Sequence, residues 1–120
     1  MKQLPISEYQ KRFFLEWLLD PASCEYNESV VFKIVGSLDK DRLKRACEIL
    51  IQEHEVMHAR YSSDGTECFY SKFTIDDFYK EIVLDKSIDS RAYIQEILSI
   101  PFDLTKGNLL RFYLLTSGCE

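Results

Sequence analysis

With 120 residues, 46% of them hydrophobic and 13% aromatic, the chain carries enough apolar material for one packed core and is too hydrophobic to be disordered throughout. Its 20 acidic and 15 basic residues leave a net charge of −5, which repels phosphate backbones and anionic lipid surfaces and sets nucleic acid aside as a partner. No apolar run approaches the roughly eighteen residues of a membrane span, and Met1 to Pro5 leads into no signal-peptide core, so no membrane association and a cytoplasmic location are expected.

Ser7 followed three residues later by Gln10 forms a capping box, in which each side chain satisfies a backbone amide at the start of a helix. Tyr9, Phe13 and Trp17 recur at spacing four beside Phe14 and Leu18, predicting an apolar face that docks into the core. Asp20-Pro21 ends this helix, because the residue before a proline is pushed out of helical geometry. Ser29 to Val35 is β-branched or aromatic on both faces and predicts a strand covered on two sides. After a turn at Gly36-Ser37, Asp39 caps a second helix, with Leu38 stapling onto Leu43. Its Leu43, Ala46, Cys47, Leu50, Ile51 and His54 fall on one side, which predicts a buried face ending at His54.

Val56 to Ser62 and Thr66 to Phe73 flank Ser63-Asp64-Gly65, and Asp-Gly between two β-prone runs predicts a hairpin. A strand follows from about Phe78 to Leu84, with Thr74 able to cap a short helical turn before it. Asp89 or Ser87 caps a third helix carrying Tyr93, Ile94, Ile97 and Leu98 that Pro101 terminates, and Leu109 to Thr116 reads as a last strand. Helices interleaved with strands and a hairpin predict an α/β fold, an α+β layered sandwich in a single unit over residues 1–120. The four cysteines, Cys24, Cys47, Cys68 and Cys119, form no Cys-x-x-Cys pair and read as reduced packing groups.

Three stretches carry a family resemblance. Leu4 to Phe14 is similar to a signature that runs leucine, proline, a branched residue and serine, then glutamine, a basic residue and an aromatic; Ser7, Gln10 and Arg12 occupy its marked positions, and Asp20-Pro21 with Tyr26-Asn27 fits its continuation. Glu53 to Tyr61 is similar in part to arginine-histidine-glutamate-x-leucine-arginine-threonine-x-phenylalanine. His54, Glu55, Met57 and Tyr61 agree, while Glu53 and His58 stand where the family has arginines. Pro101 to Arg111 matches proline-phenylalanine-aspartate-leucine-x-x-glycine-x-leucine-leucine-arginine closely, through Pro101, Phe102, Asp103, Gly107 and Arg111. Together they resemble the front of the condensation domains of nonribosomal peptide synthetases.

The resemblance implies an incomplete chloramphenicol-acetyltransferase-like lobe, the first of two that face each other across a tunnel. It implies a parent enzyme that joins an acyl or aminoacyl thioester to an amine, each held by the phosphopantetheine of a peptidyl or aryl carrier protein, with no cofactor bound to this chain directly. The family's catalytic His-His-x-x-x-Asp-Gly motif is absent, so no catalytic residue is assigned, and the expected position of that motif is beyond the final strand. The remainder of the condensation domain is then an expected partner. The family's second arginine is expected to face the motif aspartate, and His58, shorter and with fewer donors, cannot reproduce its forked bond. Two other outcomes of the same front half are a non-enzymatic module that holds a carrier protein or domain, and a related acyltransferase, epimerisation or cyclisation domain. The final strand, lacking a neighbour, offers an edge for self-association.

His54 to His58 also spells His-Glu-x-x-His, a helix-borne zinc site. That reading needs a helix running through both histidines, whereas the apolar periodicity stops at His54, and no third histidine exists. No metal is therefore assigned. Asp76-Asp77 and Asp85 to Asp89 lack the alternating carboxylates and central glycine of a calcium loop and read as caps and turns, and the aromatics Tyr9, Phe13, Phe14 and Trp17 lack the basic groove of a base-stacking surface.

Overall fold

The computed structural model describes residues 2–117, with side chains from Pro5 onward. Strand β1 (Lys2–Pro5) leads into helix α1 (Glu8–Leu19), whose capping box is formed: the Ser7 hydroxyl accepts from the Gln10 amide at 3.2 Å and the Gln10 side chain accepts from the Ser7 amide at 2.7 Å. Asp20 closes the helix. Helix α2 (Lys40–Glu53) starts at the Asp39 carboxylate, which accepts from the Arg42 amide at 3.1 Å. A 3-10 turn (Glu55–His58) then enters β2 (Ala59–Tyr61), which returns as β3 (Glu67–Tyr70). Helix α3 (Ile75–Phe78) is capped reciprocally by Thr74 and Asp77 and runs into β4 (Tyr79–Leu84); α4 (Ser90–Leu98) is capped by Asp89 and precedes β5 (Phe112–Ser117).

Two sheets result. The first has the order β1-β3-β2 and is antiparallel, with Leu4 opposite Cys68 and Tyr61 opposite Cys68 on the other side. The second is the parallel pair β4-β5, in register from Tyr79 opposite Phe112 to Leu84 opposite Ser117. A parallel pair needs a crossover, and α4 supplies it. The hairpin at Asp64-Gly65 forms as its sequence predicts, and Gly65 takes φ +71°. Strand β1 adds to the far edge of β3, a pairing that the sequence did not announce.

Several expectations are corrected. Ser29 to Val35 forms no strand: no ladder partner exists for it among the described residues, and its side chains stand in solvent, Phe32 at 82% exposure. The stripe on α1 faces differently from its periodicity, with only Phe14 buried (1% exposed) while Tyr9 and Phe13 lie outside. On α2 the buried residue is Ile51; Leu43 and Cys47 are half-buried, and Ala46, Leu50 and His54 are exposed, the helix meeting α3 and the 3-10 turn along one side. Val56 to His58 belongs to the 3-10 turn and not to the hairpin strand, since the His58 ring turns back onto α2. The last strand starts at Phe112, after a turn at Gly107 and Asn108, and is paired along one edge by β4.

The core is thin: Phe14, Ile51, Ala59, Cys68, Phe78, Tyr79 and Leu84. The chain exposes 9068 Å², against about 6,700 Å² for a compact monomer of its mass. Its radius of gyration of 16.4 Å exceeds the ~13.6 Å of a compact domain of this length. It is a flattened body, 49 × 30 × 18 Å, with apolar surface left uncovered.

Candidate functional site

The three motif stretches, up to a hundred residues apart, meet at one junction. Gln10, held in place by its own capping box, donates its amide to the Tyr61 hydroxyl at 3.3 Å and so ties α1 to β2. One turn on, Phe14 packs against Trp17 and Tyr61 with ring centroids 5.5 and 6.0 Å apart. The Trp17 indole N–H donates to the Phe102 carbonyl at 3.0 Å, and the Tyr61 amide donates to the Leu104 carbonyl at 2.7 Å. The first stretch thus touches the second through Tyr61, the second touches the third through Leu104, and α1 reaches the third at Phe102 through Trp17, three residues past the first stretch.

The third stretch is built from main-chain capping. The Arg111 guanidinium donates to the carbonyls of Ile100 and Pro101 at 2.6 and 2.8 Å and lies 3.8 Å over the Phe102 ring, so one planar cation satisfies two acceptors and covers an aromatic face. Burial pushes its pKa down. Asn27 closes the same end, donating to the Leu98 and Ile100 carbonyls at 3.3 and 3.0 Å. Asp103 accepts from the Thr105 amide and hydroxyl at 3.0 and 2.6 Å, bonds that hold its carboxyl below the usual range, the hydroxyl contributing most. Gly107 is buried at φ +83°, where an added Cβ would sit 2.9 Å from Phe73 and 3.1 Å from the Arg60 side chain, so no larger residue fits.

His58 lies at the junction of the second stretch with α2. Its Nε2 is 3.1 Å from the Ile51 carbonyl and its Nδ1 accepts the Phe73 amide at 3.1 Å, while Phe73 stacks on the ring and Phe78 meets it edge-on. Both ring nitrogens are engaged by the main chain. In this chain the position is held inward by main-chain partners. His54 ends α2 with φ −120° and ψ 98°, is exposed, and lies outside the packed face. The two histidines do not share a continuing helix, and no cluster of three metal-ligating side chains occurs among the described residues.

Of the predicted positions, Ser7, Gln10, His58, Phe102, Asp103, Gly107 and Arg111 are drawn into this junction. Arg12 stays on the surface, 4.0 Å from Glu16, and Glu55 and Pro101 are exposed. Sequence reasoning missed Phe73, which lies between His58 and Gly107, and gave Asn27 no role; neither has a local signal, because each acts through residues far along the chain. Cys24, Cys47 and Cys68 are free thiols, and Cys119 lies outside the described residues. No helix among the described residues is long and apolar enough to cross a membrane.

A family model described as "Condensation domain" matches residues 1–119. The chain is 28% identical over 111 residues to surfactin synthase subunit 2 of Bacillus subtilis (strain 168), covering 92% of this chain and 3% of that protein. It is 31% identical over 122 residues to chondramide synthase cmdD of Chondromyces crocatus, covering 93% and 3% respectively. In structure it superposes on the starter condensation domain of the rhizomide synthetase RzmA with a TM-score of 0.69 at 20% identity, over 97% of this chain and 30% of that one. The chain therefore spans a few hundredths of the length of these curated relatives and under a third of the solved domain, whose chloramphenicol-acetyltransferase-like fold it shares.

Proposed function

The chain belongs to the condensation-domain family of nonribosomal peptide synthetases, and from that premise we propose that it is the amino-terminal part of a domain that forms amide bonds between carrier-tethered acyl or aminoacyl thioesters. The observation that carries this reading is the convergence of the Leu4, Glu53 and Pro101 stretches on one junction, where their shared residues act as fasteners and not as reactants. Amine attack on a thioester needs a positioned base and an acyl pocket. The 120 residues hold two histidines, His54 and His58, and no His-His-x-x-x-Asp-Gly run. The reactive centre is assigned to residues outside this stretch.

Carrier proteins bearing phosphopantetheine and the remainder of the condensation domain are the proposed partners, in the cytoplasm. The surface in excess of a compact monomer, about 2,300 Å² by the mass scaling, supports an extensive covering by further polypeptide, with exposed Val30 to Val35 as its apolar centre. Incubated with loaded donor and acceptor carriers, the chain by itself should yield no amide above background by mass spectrometry, and clear turnover would overturn the assignment. A second reading, a non-enzymatic module that binds a carrier or domain, is favoured by the same exposed segment. The isolated chain should also self-associate through the second edge of β5, which no described strand pairs; a monomeric sedimentation profile at high concentration would contradict this.

A further inference from the structure

We infer that residues 29–35 and the outer edge of β5 are the two sides of one strand-acceptor site, filled by a single extended strand of added polypeptide that runs antiparallel to both. Clamps at its two ends set the direction of the 29–35 segment. Just before it, the Asn27 side chain donates to the Ile100 carbonyl at 3.0 Å, and Arg111, the residue before β5, donates to the same carbonyl at 2.6 Å, so segment and strand begin side by side. Past its end the chain turns at Gly36, φ +106°, and enters α2. Lys40 at the start of α2 pairs with Glu81 at 2.9 Å, and Lys44 one turn on lies 6.0 Å from the centre of the Tyr79 ring, so α2 runs back along β4. In the β4-β5 ladder Glu81 is opposite Leu114 and Tyr79 opposite Phe112. The segment therefore advances from the level of Arg111 toward that of Leu114, in the direction of β5.

Neither side is finished as an edge. Among the described residues β5 has a ladder on its β4 side alone, and 29–35 has none. Sheet edges that face water are guarded by charges, proline or a bulge. Residues 112–117 hold no charge and no proline, and residues 29–35 hold no proline and a single charge, Lys33. Both are apolar on both faces, with Val30, Phe32 and Ile34 alternating with Val31 and Val35 in the segment, and Phe112 and Leu114 alternating with Tyr113 and Leu115 in β5. That pattern belongs to strands inside a sheet. Two strands that run the same way can share one neighbour antiparallel to both, which spends one row of its N–H and C=O groups on each side. A helix packed over the same residues would cover their faces and leave both rows unpaired, at a cost for each buried group. The partner that fits is an extended strand, β-branched or aromatic on both faces and free of proline. Its source is the further polypeptide proposed above, and only that source rests on the family reading.

The test uses the full chain, isotopically labelled and dilute, with a synthetic peptide of alternating valine and threonine closed by lysine at each end, about nine residues long so as to span β5. With the peptide at millimolar concentration, hydrogen-exchange protection of alternate amides in 29–35 and of the β5 amides that point away from β4 should rise together, by about tenfold or more and along one saturation curve, while that of Leu43 in α2 changes by less than about twofold. N-methylating either alternate set of peptide amides should abolish the rise on both sides, because each set faces one side of the site. Protection of one side alone, tolerance of one methylated set, joint protection without peptide, or no change on either side would overturn the inference. Each of these results leaves the reading frame past Glu120, where the family reading is tested, untouched.

Discussion

Replacing Gly65 by alanine tests the packing on which the junction rests. Gly65 sits at φ +71° in the Asp-Gly turn, and a Cβ there would fall 2.3 Å from Phe14 Cδ1 and 2.6 Å from Cε1. Phe14 is 1% exposed and wedged among Trp17 and Tyr61, so its ring cannot swing aside as a surface side chain would. Two costs combine: about 1–2 kcal/mol for an L-residue held in left-handed geometry, and about 1–3 kcal/mol for the overpacked ring. A loss of about 2–5 kcal/mol is expected for Gly65→Ala, a large share of the ~5–15 kcal/mol typical of whole domains. Urea unfolding followed by circular dichroism reads it as a shifted midpoint. In a Phe14→Leu background the steric share should diminish and the backbone share persist, giving a coupling of about 1–2 kcal/mol between the two sites. A Gly65→Ala cost below 0.5 kcal/mol, or one equal in both backgrounds, would refute the reasoning.

Three further predictions follow from the same geometry. Asp64 accepts from the Ser62 hydroxyl at 2.6 Å and from the Thr66 amide and hydroxyl at 3.1 and 2.8 Å, which pull its pKa down to about 2, the Ser62 bond contributing most. Its contribution is therefore present above the unfolded value near ~3.9 and is lost as pH falls through about 2; Asp64→Asn should lower the urea midpoint at pH 7 and flatten its pH dependence between pH 4 and pH 2. Arg111→Lys keeps the charge but loses the fork that serves Ile100 and Pro101, and should cost about 1–2 kcal/mol in the same assay. Zinc should neither shift the unfolding midpoint nor give a stoichiometric calorimetric isotherm, because His58 is engaged by main-chain groups and His54 points from a helix that has already ended.

What was legible in the sequence was local. Ser7 with Gln10, Asp39, Thr74 with Asp77, Asp64-Gly65 and Asp89 each set a boundary through hydrogen bonds to residues two to four positions away, so a short window holds the whole interaction. The pairing of β1 with β3 and the burial of Phe14 in place of Tyr9 depend on what packs across the chain, which periodicity cannot report. Val30 to Val35 has the composition of a strand and no ladder, because strand propensity expresses fit to a neighbour and no described residue supplies one. At the site, the motif matches located Gln10, Asp103, Gly107 and Arg111 but not their purpose. Gln10 and Arg111 reach partners that only the fold brings near, and His58 is held inward by the Ile51 carbonyl and the Phe73 amide, partners that its motif position does not reveal.

The central claim is that these 120 residues form a fastened corner of an acyl-transfer lobe whose chemistry is supplied by polypeptide beyond them. Sequencing the natural transcript past the codon for Glu120 tests it most directly. The account predicts an open frame that encodes a strand, a His-His-x-x-x-Asp-Gly run and a second lobe; a stop codon directly after Glu120 would contradict it.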